Sequence, residues 1–165
     1  SRILREYARF LIEDSFADGI ATGLLALEKN CQAPLAVNSE IPVTLQQWRL
    51  LEQSVAPAVT GNFRFQMGLL RAYFDAYQYR RLVNETELEQ QGREQLLSAK
   101  EQGSLTAIKE AKEILSTAWE QPTMASWKER CLELADALFE SIGAQLTVEK
   151  HSAAEGRGNF IDNME

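Results

Sequence analysis

Residues 62–83 read NFRFQMGLLRAYFDAYQYRRLV, a proline-free segment in which apolar side chains recur every three or four positions. They form two rows, one made of Phe63, Met67, Leu70, Phe74 and Tyr77 and the other of Phe65, Leu69, Ala72, Ala76, Tyr79 and Val83. Such spacing predicts an α-helix, and apolar side chains around most of its circumference indicate that other helices cover it. Asn62 is a good N-cap, and the segment continues without proline to about residue 102. The sequence therefore predicts a long helix at the centre of a bundle.

Shorter helical patterns lie on both sides of this segment. Residues 3–30 predict two helices or one bent helix, and further apolar stripes predict helices over about 44–56, 104–119 and 127–142. Pro34 and Pro42 favour an extended connection between the first two regions, because proline opposes a continuing helix. The predicted fold class is all-α, an irregular helical bundle of about five to six helices around the long central helix.

Individual residues predict where the helices begin, end or bend. Thr44 is predicted to be the N-cap of the helix that follows it, and Pro57 and Gly61 are predicted to end that helix. Gly92 is predicted to kink or interrupt the long helix, since glycine in a helix interior costs about 1 kcal/mol relative to alanine. Gly103 is predicted to end it.

The length and composition are those of one ordinary globular domain. The chain has 165 residues, of which 45% are apolar and 25% are charged, and these fractions are close to those of folded proteins in general. We expect residues 1–150 to form a single helical-bundle domain. Much of the remaining segment, residues 151–165, consists of small and flexible residue types, so we expect it to be a flexible C-terminal tail.

The net charge and the hydropathy pattern argue against two classes of interaction. The 17 Lys and Arg residues stand against 24 Asp and Glu residues, which gives a formal charge of −7 and opposes binding to the phosphate backbone of nucleic acid. No apolar run approaches the ~20 residues that a membrane-spanning helix needs. We therefore expect neither a nucleic-acid partner nor a membrane span. The chain starts without Met, and we expect it to be part of a larger protein.

Residues that commonly carry chemistry are few. His151 is the only histidine, and Cys31 and Cys131 are the only cysteines, too few for di-iron, zincin or tetrahedral zinc sites. Glycine-rich phosphate-binding motifs do not occur. We therefore predict no catalytic residue, no metal site and no cofactor, and we expect His151 on the solvated surface. The spacing favours free, buried thiols for both cysteines but leaves a single disulfide between them open.

Six residues of the predicted central helix are candidates for ligand binding, namely Arg71, Tyr73, Asp75, Tyr77, Arg80 and Arg81. Helical spacing places Tyr73, Tyr77 and Arg80 on one face and Arg71 with Asp75 on another. Buried charged residues are usually paired, and in that interpretation these residues hold neighbouring helices in register. In the alternative interpretation they form a ligand-facing surface, where aromatic rings stack on sugars and charged groups bind hydroxyl or carboxylate groups. The sequence leaves both interpretations open.

Five segments carry a resemblance to known proteins, namely LREYARF (4–10), GLLALE (23–28), NFRFQ (62–66), RAYFDAY (71–77) and LFESIG (138–143). Together they resemble a helical region of large, poorly characterised bacterial proteins that are similar to glycoside hydrolases. The resemblance implies that a catalytic-type barrel adjoins this region on the same parent chain. It also makes the parent a candidate for export, to the periplasm or the cell exterior. No segment contains a catalytic signature, so the resemblance carries over no catalytic residue.

Three functional hypotheses follow from these observations. The first is a non-catalytic helical accessory domain whose partner is an adjoining carbohydrate-active domain of the same parent chain. The second is an independent helical module that binds a glycan or another protein through residues 71–81. The third is a glycosidase that uses paired carboxylates, which requires two acids roughly 5–5.5 Å or 6.5–9.5 Å apart in an open groove. The lack of a catalytic motif disfavours this third hypothesis.

Overall fold

The computed structural model describes residues 2–120 and 124–154, and the regular structure within these ranges is helical throughout. The helices are α1 (Arg2–Leu11), α2 (Ala17–Lys29), α3 (Glu40–Ser54), α4 (Pro57–Thr60), α5 (Phe63–Leu97), α6 (Ala99–Gln102), α7 (Ser104–Glu120), α8 (Ala125–Ile142) and α9 (Val148–His151). Short 3₁₀ helices at Asp14–Phe16 and Leu35–Val37 separate the first three. The prediction of an all-α fold with a long central helix, α5, is confirmed. Among the described helices, none combines the length and the apolar composition needed to cross a membrane.

The chain forms two compact units. One is made of Ser1–Ala76 and Ser126–Glu165, and the other of Tyr77–Ala125. The boundary falls within α5, so residues 63–76 of this helix, called its first half below, belong to the first unit, and residues 77–97, called its second half, belong to the second. The predicted division into one bundle over residues 1–150 and a tail stays a prediction. Residues 155–165, most of the predicted tail, lie outside the described part of the chain.

A buried tryptophan lies at the core of the first unit. Trp48 of α3 is fully buried, and its indole Nε1 donates a hydrogen bond to the Gly23 carbonyl oxygen of α2 at 3.1 Å. Its ring centroid lies 5.5 Å from that of Phe65 of α5. Gly68 of α5 allows this close approach, because a Cβ atom there would collide with the indole. Burial of a large apolar side chain contributes about 1.5–3 kcal/mol, so this contact stabilises α2, α3 and α5 together.

One of the two apolar rows of α5 faces this core. Phe65, Leu69, Ala72 and Ala76 of that row are buried, whereas Met67 of the other row is exposed. The prediction that other helices cover most of the circumference of α5 is therefore wrong at Met67, which is exposed to solvent. These four buried residues all lie in the part of α5 that belongs to the first unit, and they supply the apolar face of that part.

Asn62 caps α5 as predicted. Its side-chain Oδ1 accepts a hydrogen bond from the Arg64 backbone N–H at 3.0 Å, and its Nδ2 donates to the Leu11 carbonyl oxygen at 2.9 Å. The first bond satisfies one of the free N–H groups at the start of α5, and the second satisfies a free carbonyl at the end of α1. One side chain thus fixes two helix ends to each other.

The start of α3 differs from the prediction, whereas its end at Ser54 lies close to the predicted end before Pro57. The helix begins at Glu40 rather than after Thr44, because the Asn38 side-chain Oδ1 accepts a hydrogen bond from the Glu40 N–H at 3.1 Å. Pro42 lies in the first turn, where a backbone N–H would have no helical partner. Thr44 is buried inside the helix, and its hydroxyl donates to a backbone carbonyl of α2. Pro57 begins α4, a position that favours proline.

The second unit contains the second half of α5 together with α6 and α7. The α5 helix continues through Gly92, so the predicted interruption there is wrong, and a Cβ atom at Gly92 would lie 3.3 Å from the Leu115 side chain of α7. Ala107 and Ala111 of α7 are buried. Gly92 therefore lies close to the Leu115 side chain, and the helix tolerates the cost of about 1 kcal/mol that glycine carries relative to alanine.

Candidate functional site

The six candidate residues of α5 lie in different surroundings. Arg71, Tyr73 and Asp75 belong to the first unit, and the other three belong to the second. An α-helix turns by about 100° per residue, so Tyr73 lies on a different face from Arg71 and Asp75. The structure therefore divides the candidates of the first unit into two separate groups of contacts.

The first group is centred on the buried carboxylate of Asp75. Its Oδ1 lies 2.7 Å from Arg71 Nε, and its Oδ2 accepts a hydrogen bond from Asn30 Nδ2 at 2.9 Å. Burial opposes the charge of Arg71, but the hydrogen bond to Asp75 and its negative charge outweigh burial, so the pKa of Arg71 is raised. Both oxygens of Asp75 thus bind groups of the protein itself.

Asn30 is not among the candidates that the sequence pattern predicts. It lies at the end of α2, and its partner Asp75 is 45 positions away, so no local spacing connects the two. The backbone carbonyl of Asn30 accepts a hydrogen bond from Asn38 Nδ2 at 3.0 Å, and its own Oδ1 is buried without a hydrogen-bond partner. Asn30 and Asp75 therefore join α2 to α5, which is the helix-register interpretation of these candidates.

The second group is centred on Glu52 of α3. The Tyr73 hydroxyl donates a hydrogen bond to Glu52 Oε2 at 3.4 Å. The other carboxylate oxygen, Oε1, lies 2.6 Å from Nη2 of Arg130 in α8. Arg130 also pairs with Glu133 at 2.6 Å. Burial, followed by the negative charge of Glu52, raises the pKa of Tyr73. This network connects three helices of the first unit. Glu52 and Arg130 lie 78 positions apart, so no local sequence pattern predicts their contact.

The candidates of the second unit are differently placed. Tyr77 is buried. Arg81 pairs with Glu85 one helical turn further along α5, and Arg80 is exposed. Exposed pairs of this spacing contribute roughly 0.2–0.5 kcal/mol. Arg80 is therefore the most exposed of the three candidates in the second unit.

His151 is buried, and the expectation of a solvated surface histidine is wrong. Its Nε2 lies 3.2 Å from Asp136 Oδ1, its Nδ1 lies 2.9 Å from Thr147 Oγ1, and its ring stacks on Phe139 at a centroid distance of 4.4 Å. Lys150 pairs with the other oxygen of Asp136. These contacts attach α9 to α8, so the packed part of the chain continues past the predicted boundary at residue 150.

The order of hydroxyl, imidazole and carboxylate in this cluster resembles that of a catalytic triad. The Thr147 hydroxyl is nevertheless buried, and its Oγ1 accepts a hydrogen bond from the His151 backbone N–H at 3.1 Å. A nucleophile must be reached by its substrate, and this hydroxyl is enclosed and already serves as the N-cap of α9. The geometry therefore supports a structural role for Thr147, His151 and Asp136.

Both cysteines are free thiols, and the disulfide that the sequence left open is not formed. Cys131 is buried as expected, whereas Cys31 is exposed. Burial raises the pKa of the Cys131 thiol to about 12, although the nearby charge of Arg130 acts in the opposite direction. The Cys31 sulfur lies 3.7 Å from an Nη2 of Arg71.

An apolar surface covers the outer side of α1. Ile3 and Phe10 are 77% and 74% exposed, and Tyr7 between them is 37% exposed. The three residues follow helical spacing and share one face, while Ala8 on another face is fully buried. We call Ile3, Tyr7 and Phe10 the α1 surface.

Comparison of the chain with models of protein families, with curated proteins and with solved structures gave no match. Within the described residues, no group of three or more His, Cys, Asp or Glu side chains is placed to hold a metal ion.

Proposed function

We propose that this chain is a non-catalytic helical accessory domain that docks on an adjoining domain of a larger, glycoside-hydrolase-like bacterial protein. The observation that carries the proposal is the α1 surface. Contiguous exposed apolar patches are typical of protein interaction sites, and aromatic side chains such as Phe and Tyr are enriched at the centres of interfaces. The α1 surface presents three exposed apolar side chains on one helix face, and two of them are aromatic.

The attachment of α1 to its own unit supports this role. Arg5 pairs with Asp18 at 2.8 Å, and Arg9 pairs with Asp14 at 3.0 Å. The Asn62 side chain binds the last carbonyl of the helix. These contacts hold α1 in place before any partner arrives, and a preorganised surface loses less conformational entropy on binding.

The use of the charged side chains supports a non-catalytic role. Asp75 and Glu52 each bind two groups of the protein, and Asp136 binds His151 and Lys150. Carboxylates engaged in this way hold helices together. The carbohydrate-active setting of the proposal comes from the resemblance of the five segments, and the adjoining domain is the partner that the resemblance implies.

The test requires the adjoining domain of the parent protein, produced separately and titrated with this chain by calorimetry. The Ile3→Ser/Phe10→Ser double variant is expected to bind at least about tenfold more weakly, because the loss of interface anchors costs about 1.4 kcal/mol or more. The matched control is Val37→Ser/Leu50→Ser, which removes exposed apolar side chains from other surfaces of the same unit. If the two double variants bind the adjoining domain with equal affinity, the α1 surface is not the docking site.

The alternative is an independent glycan- or protein-binding module, and the exposed Arg80 is the feature of residues 71–81 that favours it. Titration of the isolated chain with a panel of glycans, followed by tryptophan fluorescence, tests this alternative. A saturable response that Arg80→Ala abolishes would support it. The accessory-domain proposal predicts no such response.

A further inference from the structure

We draw no further inference here: the strongest candidate, the exposed Cys31 thiol beside Arg71 at the end of α2, is a lone cysteine, and the unpartnered Asn30 Oδ1 near it is enclosed within the fold and points to no ligand.

Discussion

The two halves of α5 each contain a glycine opposite a large side chain of another helix. Gly68 in the first half faces Trp48, and Gly92 in the second half faces Leu115. Trp48 is fully buried, whereas Leu115 is exposed to 43%. A larger residue in place of glycine should therefore be tolerated less well at Gly68 than at Gly92, because the buried indole cannot move aside whereas the half-exposed leucine can change its rotamer.

The two halves also share an arginine four residues before a carboxylate. Arg71 pairs with Asp75 in the first half, and Arg81 pairs with Glu85 in the second. The Asp75 side chain is 8% exposed and the Glu85 side chain 45%. Equal spacing along one helix thus places one carboxylate inside the fold and the other in water, and burial decides how much each contributes to stability.

The largest expected effect on stability comes from removal of the Trp48 indole, which packs against the first half of α5. Trp48→Ala should lower the free energy of unfolding by about 3–5 kcal/mol, the usual cost of emptying a buried aromatic site. Leu115→Ala, which faces the second half, should cost less than about 1.5 kcal/mol because part of the side chain is already solvated. Urea unfolding followed by circular dichroism measures both. Equal losses would remove the distinction between the halves.

The next effect concerns the two carboxylates. Asp75→Ala should cost about 2–3 kcal/mol, because Asn30 Nδ2 would lose its partner in an enclosed place and buried hydrogen bonds to charged groups contribute roughly 1.5–3 kcal/mol. Glu85→Ala should cost less than about 0.5 kcal/mol. The same unfolding experiment compares them. A cost for Asp75→Ala as small as that for Glu85→Ala would contradict a structural role for the Asp75 cluster.

Substitution of alanine for Gly68 and for Gly92 compares the two halves of α5 by the same chemical change. Gly68→Ala should destabilise the protein by about 1–3 kcal/mol, since the new Cβ displaces Trp48 in a filled core. Gly92→Ala should be neutral or stabilising by up to about 1 kcal/mol, because Leu115 can yield and alanine favours the helix. Thermal unfolding of the two variants gives the difference. Destabilisation by Gly92→Ala of similar size would show that the second half is as tightly packed as the first.

The smallest effect is the pH dependence from Cys131 of the first unit. Its pKa is raised from the ordinary value of 9.0 to about 12, so the thiol ionises more readily in the unfolded chain than in the folded one. The stability that this group contributes is present below pH 9 and is lost as the pH rises towards 12. Between pH 9 and pH 10 the loss should be about 1 kcal/mol.

The Cys131→Ala variant is the control for this prediction, because it removes the thiol and leaves the other titrating groups in place. Urea unfolding at pH 8, 9 and 10 should show that the free energy of unfolding depends less on pH in the variant than in the unsubstituted protein. Parallel curves would mean that the thiol is not buried as described.

Two helix ends that depend on neighbouring residues could be predicted from the sequence, whereas the start of α3 at Glu40 was not predicted. Asn62 precedes an apolar helical pattern, and it caps α5. Gly143 follows the last apolar residues of α8, and it adopts a φ of +69° at the helix end. Caps and helix ends are decided within a few residues, so their signals are visible in the sequence.

The parts that depend on distant residues could not be predicted. The Asn30 amide meets Asp75 across 45 positions, and Glu52 meets Arg130 across 78. The burial of His151 depends on Asp136 and Phe139 of the preceding long helix rather than on its own polar and flexible neighbours. Periodicity placed the six candidate residues on one predicted helix, but their partners follow only from the packing of other helices against it.

Amide hydrogen exchange along α5 tests the central claim most directly, since the claim is that the first half of this helix is a buried scaffold. We predict that the amides of residues 67–76 exchange only through global unfolding, with a free energy equal to that from urea unfolding. The amides of residues 84–97 should exchange at a lower free energy, through local opening. Equal protection along the helix, or stronger protection in the second half, would contradict the account.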